Sequence, residues 1–351
     1  MGCSSLTAES EITRTIDNCS FCPECTSRHT VEVTGGRCYR GNTIVSYDTS
    51  VREWIGTARE NGWERSENSR EWYEHPENMP CEPFSYHTNV FDHCESLHTF
   101  PSNKLLLGVE LEMEPRCPET EAQTEIVKRL NGPAAEHYIC TTDGSLNYGV
   151  EMVTMPLTLE EHKGVFGWEG VLGRVANIAK SGKGTQNCGM HVHINKRALT
   201  PLTIGKMMVF LNADRTDSLV AKIAQRRNNG FCEKKDGASL KDARRYAESR
   251  YQRLNLQPSE TVELRLFKGN LRPERVLKNL EFAHATVCFC KDASMKDVDS
   301  PAAFLAFIHK HRGTYPNLTR FLQETHTSTF TRAFNRNPIE GKAAAPVLEE
   351  I

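Results

Sequence analysis

Three short stretches of the chain alternate apolar and ionisable residues with a period of two. They are Gly108-Val109-Glu110-Leu111-Glu112-Met113-Glu114, Met190-His191-Val192-His193-Ile194-Asn195 and Val262-Glu263-Leu264-Arg265-Leu266. Consecutive strand residues point to opposite faces of a sheet. Each stretch is therefore predicted to seat its apolar residues in a core and to turn carboxylates, imidazoles or a guanidinium the other way. A strand face left to water would more usually carry Thr, Lys, Ser and Gln. Glu, His and Arg on three strands predict one shared polar cup, suited to metal and to anionic ligands.

The same patterning predicts strands over 105–114, 148–155, 188–195, 251–256 and 261–267. Helices are predicted over 120–130, 201–223, 273–291, 301–311 and 317–323, with a Gly-interrupted helical stretch over 159–180. Pro201 stands where the first turn of a helix accepts proline. Residues 226–240 read as a charged, Gly-bearing loop. Runs of antiparallel-type strands with helices between them make an α+β domain whose sheet is open on one face. The expected organisation is a disordered N-terminus over 1–18, a Cys- and His-rich module over 19–100, a catalytic domain over 101–325 and a tail over 326–351.

The chain has 351 residues, enough for one large domain and a small one, and a formal net charge of −2. That balance gives no general affinity for nucleic acid. No apolar run approaches the roughly 18–20 residues that span a bilayer, so no membrane partner is expected. No charged-then-apolar leader is evident, and Leu6 stands where a myristoylation motif takes Ser or Thr. Cys117, Cys140, Cys188, Cys232, Cys288 and Cys290 read as small core residues of a reduced compartment, so a cytoplasmic location is expected.

Glu110 and Glu112 carry the first chemical signal. Two carboxylates at i and i+2 of a strand project side by side, and their repulsion is costly unless a cation or a basic partner sits between them; a solvated edge strand is the plainer alternative. Glu114 shares that face but ends the strand before Pro115, and is expected at the surface. His191 and His193 gain meaning from this company, since two histidines on a strand are more often satisfied core or surface residues. Glu263 and Arg265 repeat the geometry with opposite charges: either they pair with each other, or the Glu serves a metal and the Arg a phosphate or carboxylate. Asp143-Gly144-Ser145 is a turn leading to a strand that carries Glu151.

The order Gly-x-Glu-x-Glu, Asp-Gly-Ser with a Glu-bearing strand, Cys-Gly-x-His-Val-His and Glu-Leu-Arg resembles the amidoligase family. That family is common in phages and belongs to the glutamine synthetase/glutamate–cysteine ligase superfamily of carboxylate–amine ligases. Gly189–His193 resembles the glutamine synthetase motif itself. The resemblance covers roughly residues 105–290 and does not extend to residues 1–100. It implies a glutamine synthetase-like cup of antiparallel strands with flanking helices, binding ATP with two or three magnesium or manganese ions. It implies that Glu110, His191 and Glu263 hold the metal at the terminal phosphates, and that Glu112 and Glu151 hold the metal near the accepting substrate. His193 would approach a phosphate, and Arg265 the transferred phosphoryl group or the substrate carboxylate. Arg250, Tyr251 and Asn255 resemble the family's Arg/Lys-Tyr…Leu-Asn segment and are expected to contact phosphate or substrate. Glutamine synthetases carry a second metal-site Glu after the one matched by Glu151. No convincing counterpart stands here, and Asp143 is the candidate for that place and for the base that deprotonates the amine.

The implied reaction is ATP-dependent amide formation through an acyl phosphate, on amino-acid, peptide or protein substrates. A phage-encoded member would work in the host cytoplasm. Two other readings compete: a phosphagen-kinase-like phosphoryl transferase on the same fold, and a non-catalytic, zinc-bearing binding protein. The zinc expectation rests on Cys22-Pro23-Glu24-Cys25, two thiolates across a tight turn. Cys19 or Cys38 is expected to complete the site, with Cys81, Cys94, His29 and His93 as further candidates. A disulfide-linked fold is the alternative. The segment is poor in aliphatic residues, so a structural metal would substitute for a core.

Overall fold

A computed structural model describes residues 13–16, 18–21, 23–46, 49–65, 72–74, 81–118, 121–132, 135–182, 185, 188–226, 232–234 and 250–325, with the side chains of residues 13 and 23–25 excepted. The tail over 326–351, most of the charged loop over 226–240 and residues 1–12 of the expected N-terminus lie outside the described residues.

The chain divides into two compact units, Met1–Cys81 and Glu82–Ile351. The first holds helices Pro23–His29 and Ile55–Glu60 and four two-stranded antiparallel ladders. Its described buried apolar residues are few, namely Cys38, Ala58, Trp63 and Tyr73. Polar ties supplement them. The buried Glu53 carboxylate accepts the backbone N–H of Thr34 at 3.1 Å and of Trp54 at 2.7 Å.

The second unit is a mixed α+β structure. Its elements run β1 (Leu107–Pro115), α1 (Ala122–Arg129), β2 (Tyr138–Thr141), β3 (Val150–Thr154), α2 (Leu159–Gly164), α3 (Trp168–Val175), β4 (Ala179–Lys180), β5 (Gly189–Asn195), α4 (Pro201–Asn212), α5 (Asp214–Ala224), β6 (Leu254–Asn255), β7 (Thr261–Lys268), α6 (Pro273–Asp292), α7 (Pro301–Lys310) and α8 (Pro316–Thr325). The strands form one seven-stranded antiparallel sheet in the order β2-β3-β1-β5-β7-β6, with β4 paired to the end of β1.

Three elements depart from the sequence expectation, each for a physical reason. β2 was not predicted, because Tyr138, Ile139, Cys140 and Thr141 are all buried and show no alternation. The stretch expected to be helical over 159–180 splits at Gly167, whose φ of 69° turns the chain between α2 and α3, and it ends in β4. The helix expected over 201–223 breaks at Ala213, which is extended. There the Thr216 hydroxyl donates to the carbonyls of Phe210 at 2.5 Å and Ala213 at 3.0 Å, satisfying groups that the end of α4 would leave bare.

The sheet's apolar face carries Val109, Leu111, Met190, Val192, Leu264 and Phe267, all buried. It packs on α6: the rings of Phe267 and Phe282 meet edge to face at 5.9 Å, and the Asn279 amide donates to Met190 Sδ at 3.2 Å. α6 is then enclosed by Phe210 of α4 and Phe304 of α7. With one face sealed, the ionisable residues of the same strands are left to the other. Among the described residues no helix is long and apolar enough to cross a membrane.

Candidate functional site

Register brings the polar side chains into transverse rows. Glu112 of β1 stands opposite Glu151 of β3, and Glu110 opposite His191 of β5. His193 stands opposite Glu263 of β7, which in turn faces Asn255 of β6. The pairing of β5 with β7 shifts register between Met190 and Val192, an irregularity of the kind that re-aims side chains beside functional sites.

His191 sits among three carboxylates. Its Nδ1 lies 3.0 Å from Glu110 Oε2 and 3.5 Å from Glu263 Oε1, and its Nε2 lies 3.7 Å from Glu112 Oε1. His193 Nε2 is 3.0 Å from Glu110 Oε1, while its Nδ1 is 3.1 Å from the Thr261 hydroxyl. Glu263 accepts from Arg265 Nη1 at 2.6 Å and from the Asn255 amide at 2.7 Å, which fixes its carboxylate. Glu112 accepts the backbone N–H of Gly189 at 2.5 Å.

Three overlapping sets of side chains could each hold a metal ion: Glu110/His193/Glu263, Glu110/Glu151/His191 and Glu112/Asp143/Glu151. Their electrostatics are uneven. Burial alone would raise the Glu110 carboxyl, but His193 and His191 outweigh it and hold that carboxyl well below the usual range. Burial pushes Glu151 well above the usual range, and the charges of Glu110, Glu112, Asp143 and Glu263 add to the shift. Burial also works against a charged His193, yet Glu110 raises its imidazole to about 9. The cup is thus uneven: two imidazoles compensate Glu110, whereas Glu151 is buried among other carboxylates.

The structure brings Glu110, Glu112, Glu151, Asp143, His191, His193, Glu263 and Arg265 into one neighbourhood. Glu114 corrects its surface expectation. It is buried and accepts the N–H of Asn147 at 3.2 Å, tying the turn that carries Asp143 back to β1. Asn255 acts on Glu263 through its amide. Tyr251 lies between two guanidiniums, 5.0 Å from that of Arg250 and 6.0 Å from that of Arg265, and its hydroxyl accepts from Arg250 Nη2 at 3.0 Å.

A cavity of about 590 Å³ opens over these residues, a size common for small-molecule sites. Sequence reasoning missed part of its wall. Tyr86, His87 and Thr88 line it from the segment after Phe84, whose backbone N–H and carbonyl bond to Cys140 and Thr142 beside β2. That segment has no period to read, and its composition groups it with the Cys-rich module. Arg226 lines the cavity too, from the start of the stretch read as a charged loop.

Of the expected zinc ligands, Cys22 and the side chain of Cys25 lie outside the described residues. Cys38 is buried in strand Gly36–Tyr39 and Cys19 is half-buried. Among the described residues, all three potential metal groups belong to the second unit. No protein-family model matches the chain, and no curated protein matches it.

Proposed function

We propose that this chain is an ATP-dependent amidoligase that joins a carboxylate to an amine through an acyl phosphate, with magnesium or manganese in the cup. The observation that carries this reading is the run of three overlapping ligand groups on one sheet face, bordered by Arg226, Arg250 and Arg265. The donors fit hard divalent cations: carboxylate oxygens outnumber imidazole nitrogens, and among the described residues no thiolate enters the groups. The upward shift at Glu151 fits as well, since burial first and four neighbouring carboxylates next disfavour its charge, which a bound cation would relieve. The order of the four motifs, which resembles that of the amidoligase family, supports the choice of reaction.

When bound, the cations neutralise phosphate charge and align an in-line transfer. A carboxylate is a poor acyl donor because its leaving group is oxide. Accepting a phosphoryl group from ATP gives it a leaving group that an amine can displace. Arg265, held by Glu263 and with its Nε free of partners, donates to the phosphoryl group or to the substrate carboxylate. His193, steadied by Thr261, contacts a phosphate. Asp143 closes the accepting end and takes the proton of the attacking amine. Amino-acid, peptide or protein groups are the substrates. The first unit is assigned a structural, four-coordinate zinc held by Cys22 and Cys25 with two further ligands, Cys19 and Cys38 first among the candidates, because it has little apolar core to fold on.

The test combines the purified protein with ATP, Mg²⁺ and a mixed pool of amino acids and peptides. ADP and phosphate should appear only when an amine is present, and mass spectrometry should find a product joined with loss of water. Accumulation of a stable phosphorylated compound would instead assign a phosphoryl transferase. ATP binding of equal affinity in EDTA would remove the metal cup from the reading.

A further inference from the structure

Arg226 is the group the reading above leaves unused. It follows α5 directly, and the residue between them, Gln225, has a φ of 58°. A left-handed residue commonly ends a helix, and here Gln225 caps α5 with its N–H on the Lys222 carbonyl. The turn accompanies the entry of Arg226 into the cavity that Glu110, Glu112 and His191 line. Its Nη1 is buried and, among the described residues, has no hydrogen-bond partner. Leaving a buried donor unmade costs about 1–3 kcal/mol, and more for a charged group.

The seat of this guanidinium is shaped by one glycine. A Cβ at Gly189 would stand 2.6 Å from Arg226 Nη1 and 3.3 Å from His191 Nε2. Any side chain at position 189 would take the space that Nη1 occupies. The same Gly189 donates its N–H to Glu112. Arg226 therefore stands over Gly189 in the cavity that is also lined by members of the ligand groups Glu110/Glu151/His191 and Glu112/Asp143/Glu151. Arg265 enters the same cavity from β7, beside Glu263. A spare cationic donor among carboxylates, with none of them bonded to its inner nitrogen, is placed for an anion that arrives from outside.

We propose that Arg226 is a second phosphoryl-binding guanidinium, which reaches over Gly189 to bind the equatorial oxygens of the phosphoryl group in transit from ATP to the substrate carboxylate. This rests on the nucleotide reading of the cup. In the step, the bond from the γ-phosphorus to the β–γ bridging oxygen breaks and ADP leaves with the electron pair, while a carboxylate oxygen bonds to phosphorus. Arg226 donates hydrogen bonds and transfers no proton. Charge spreads over the equatorial oxygens in this transition state, where an arginine supplied in cis or in trans is worth about 10³–10⁵ in rate in other phosphoryl-transfer enzymes.

The test needs no knowledge of the substrate. Calorimetry measures binding of Mg-ADP, alone and with aluminium fluoride, which mimics the planar phosphoryl group. Wild type should bind Mg-ADP about tenfold or more tighter with the fluoride, which corresponds to about 1.4 kcal/mol. Arg226→Gln should keep Mg-ADP affinity within about threefold and lose the tightening, and Arg226→Lys should keep part of it. Full tightening in Arg226→Gln overturns the proposal, as does wild type that binds Mg-ADP with no fluoride effect. Wild type that binds no Mg-ADP overturns the nucleotide reading itself, and the proposal with it.

Discussion

Replacing Glu151 by Gln removes a buried ionisable carboxyl group from the cup and leaves its shape nearly unchanged. Glu151 belongs to two of the three potential metal groups, and burial together with Glu110, Glu112, Asp143 and Glu263 pushes its carboxyl well above the usual range. Without a divalent cation, wild type must either hold that carboxylate against its neighbours or take up a proton to neutralise it, and both cost stability relative to the unfolded chain, so the variant should melt higher. With the cation, the order should reverse. A ligand at a hundredfold its Kd stabilises the folded state by about 2.7 kcal/mol. At about 2.1 cal/mol/K per residue, a chain of 351 residues shifts by about 1.4 °C per kcal/mol, so wild type should gain about 4 °C and the variant far less. Differential scanning fluorimetry of both proteins, in EDTA and in millimolar Mn²⁺, reads all four melting temperatures. A carboxylate with a purely structural role would lower the melting temperature in both media when replaced. A variant that melts below wild type in EDTA, or that keeps the full metal shift, would refute the cation-binding reading of this row.

Burial holds His162 and His284 neutral, with His162 pushed down to about 4 and His284 to about 3 from an ordinary 6.5. Both folded values lie below the unfolded one, so their contribution is complete above pH 6.5 and is lost as the pH falls toward 4. At pH 5 each should cost about 2 kcal/mol, 1.5 pH units at 1.36 kcal/mol each, and urea titrations at pH 7 and pH 5 should show it. His162→Gln should lessen that loss, and identical profiles would count against the assignment. Thr216→Val removes the hydroxyl that donates to Phe210 and Ala213 at the corner between α4 and α5, and should cost about 1–3 kcal/mol by chemical denaturation. Elemental analysis of protein purified under reducing conditions should find about one zinc per chain, absent from a Cys22→Ser/Cys25→Ser double variant. Zinc retained in that variant would show that other residues bind it.

The period-two stretches were legible because the signal is local. A strand that is apolar at Val109, Leu111 and Met113 must bury those residues together, and its carboxylates then share the opposite face whatever the strand's neighbours are. The residues of the β2 strand were not legible, because a strand buried on both faces carries no alternation to read. Glu114 was misplaced for a related reason. Alternation assigns a face, but burial depends on the turn at Asn147 that covers it. Tyr86 and Arg226 gave no signal, since wall residues obey no period and are recruited by where the chain passes.

From its sequence alone this chain determined an α+β class, the faces of its principal strands and the residue types that the open face would display. Those follow from side-chain alternation, which depends only on neighbours along the chain. Which carboxylate meets which imidazole was decided by the tertiary structure. Glu110 and His191 are 81 residues apart and touch because β1 lies between β3 and β5 in the sheet. Strand adjacency is a long-range pairing, set by the packing of the whole apolar face on α6. For that reason the cup's row of ligand groups, and the arginine that reaches over Gly189, came into view with the fold.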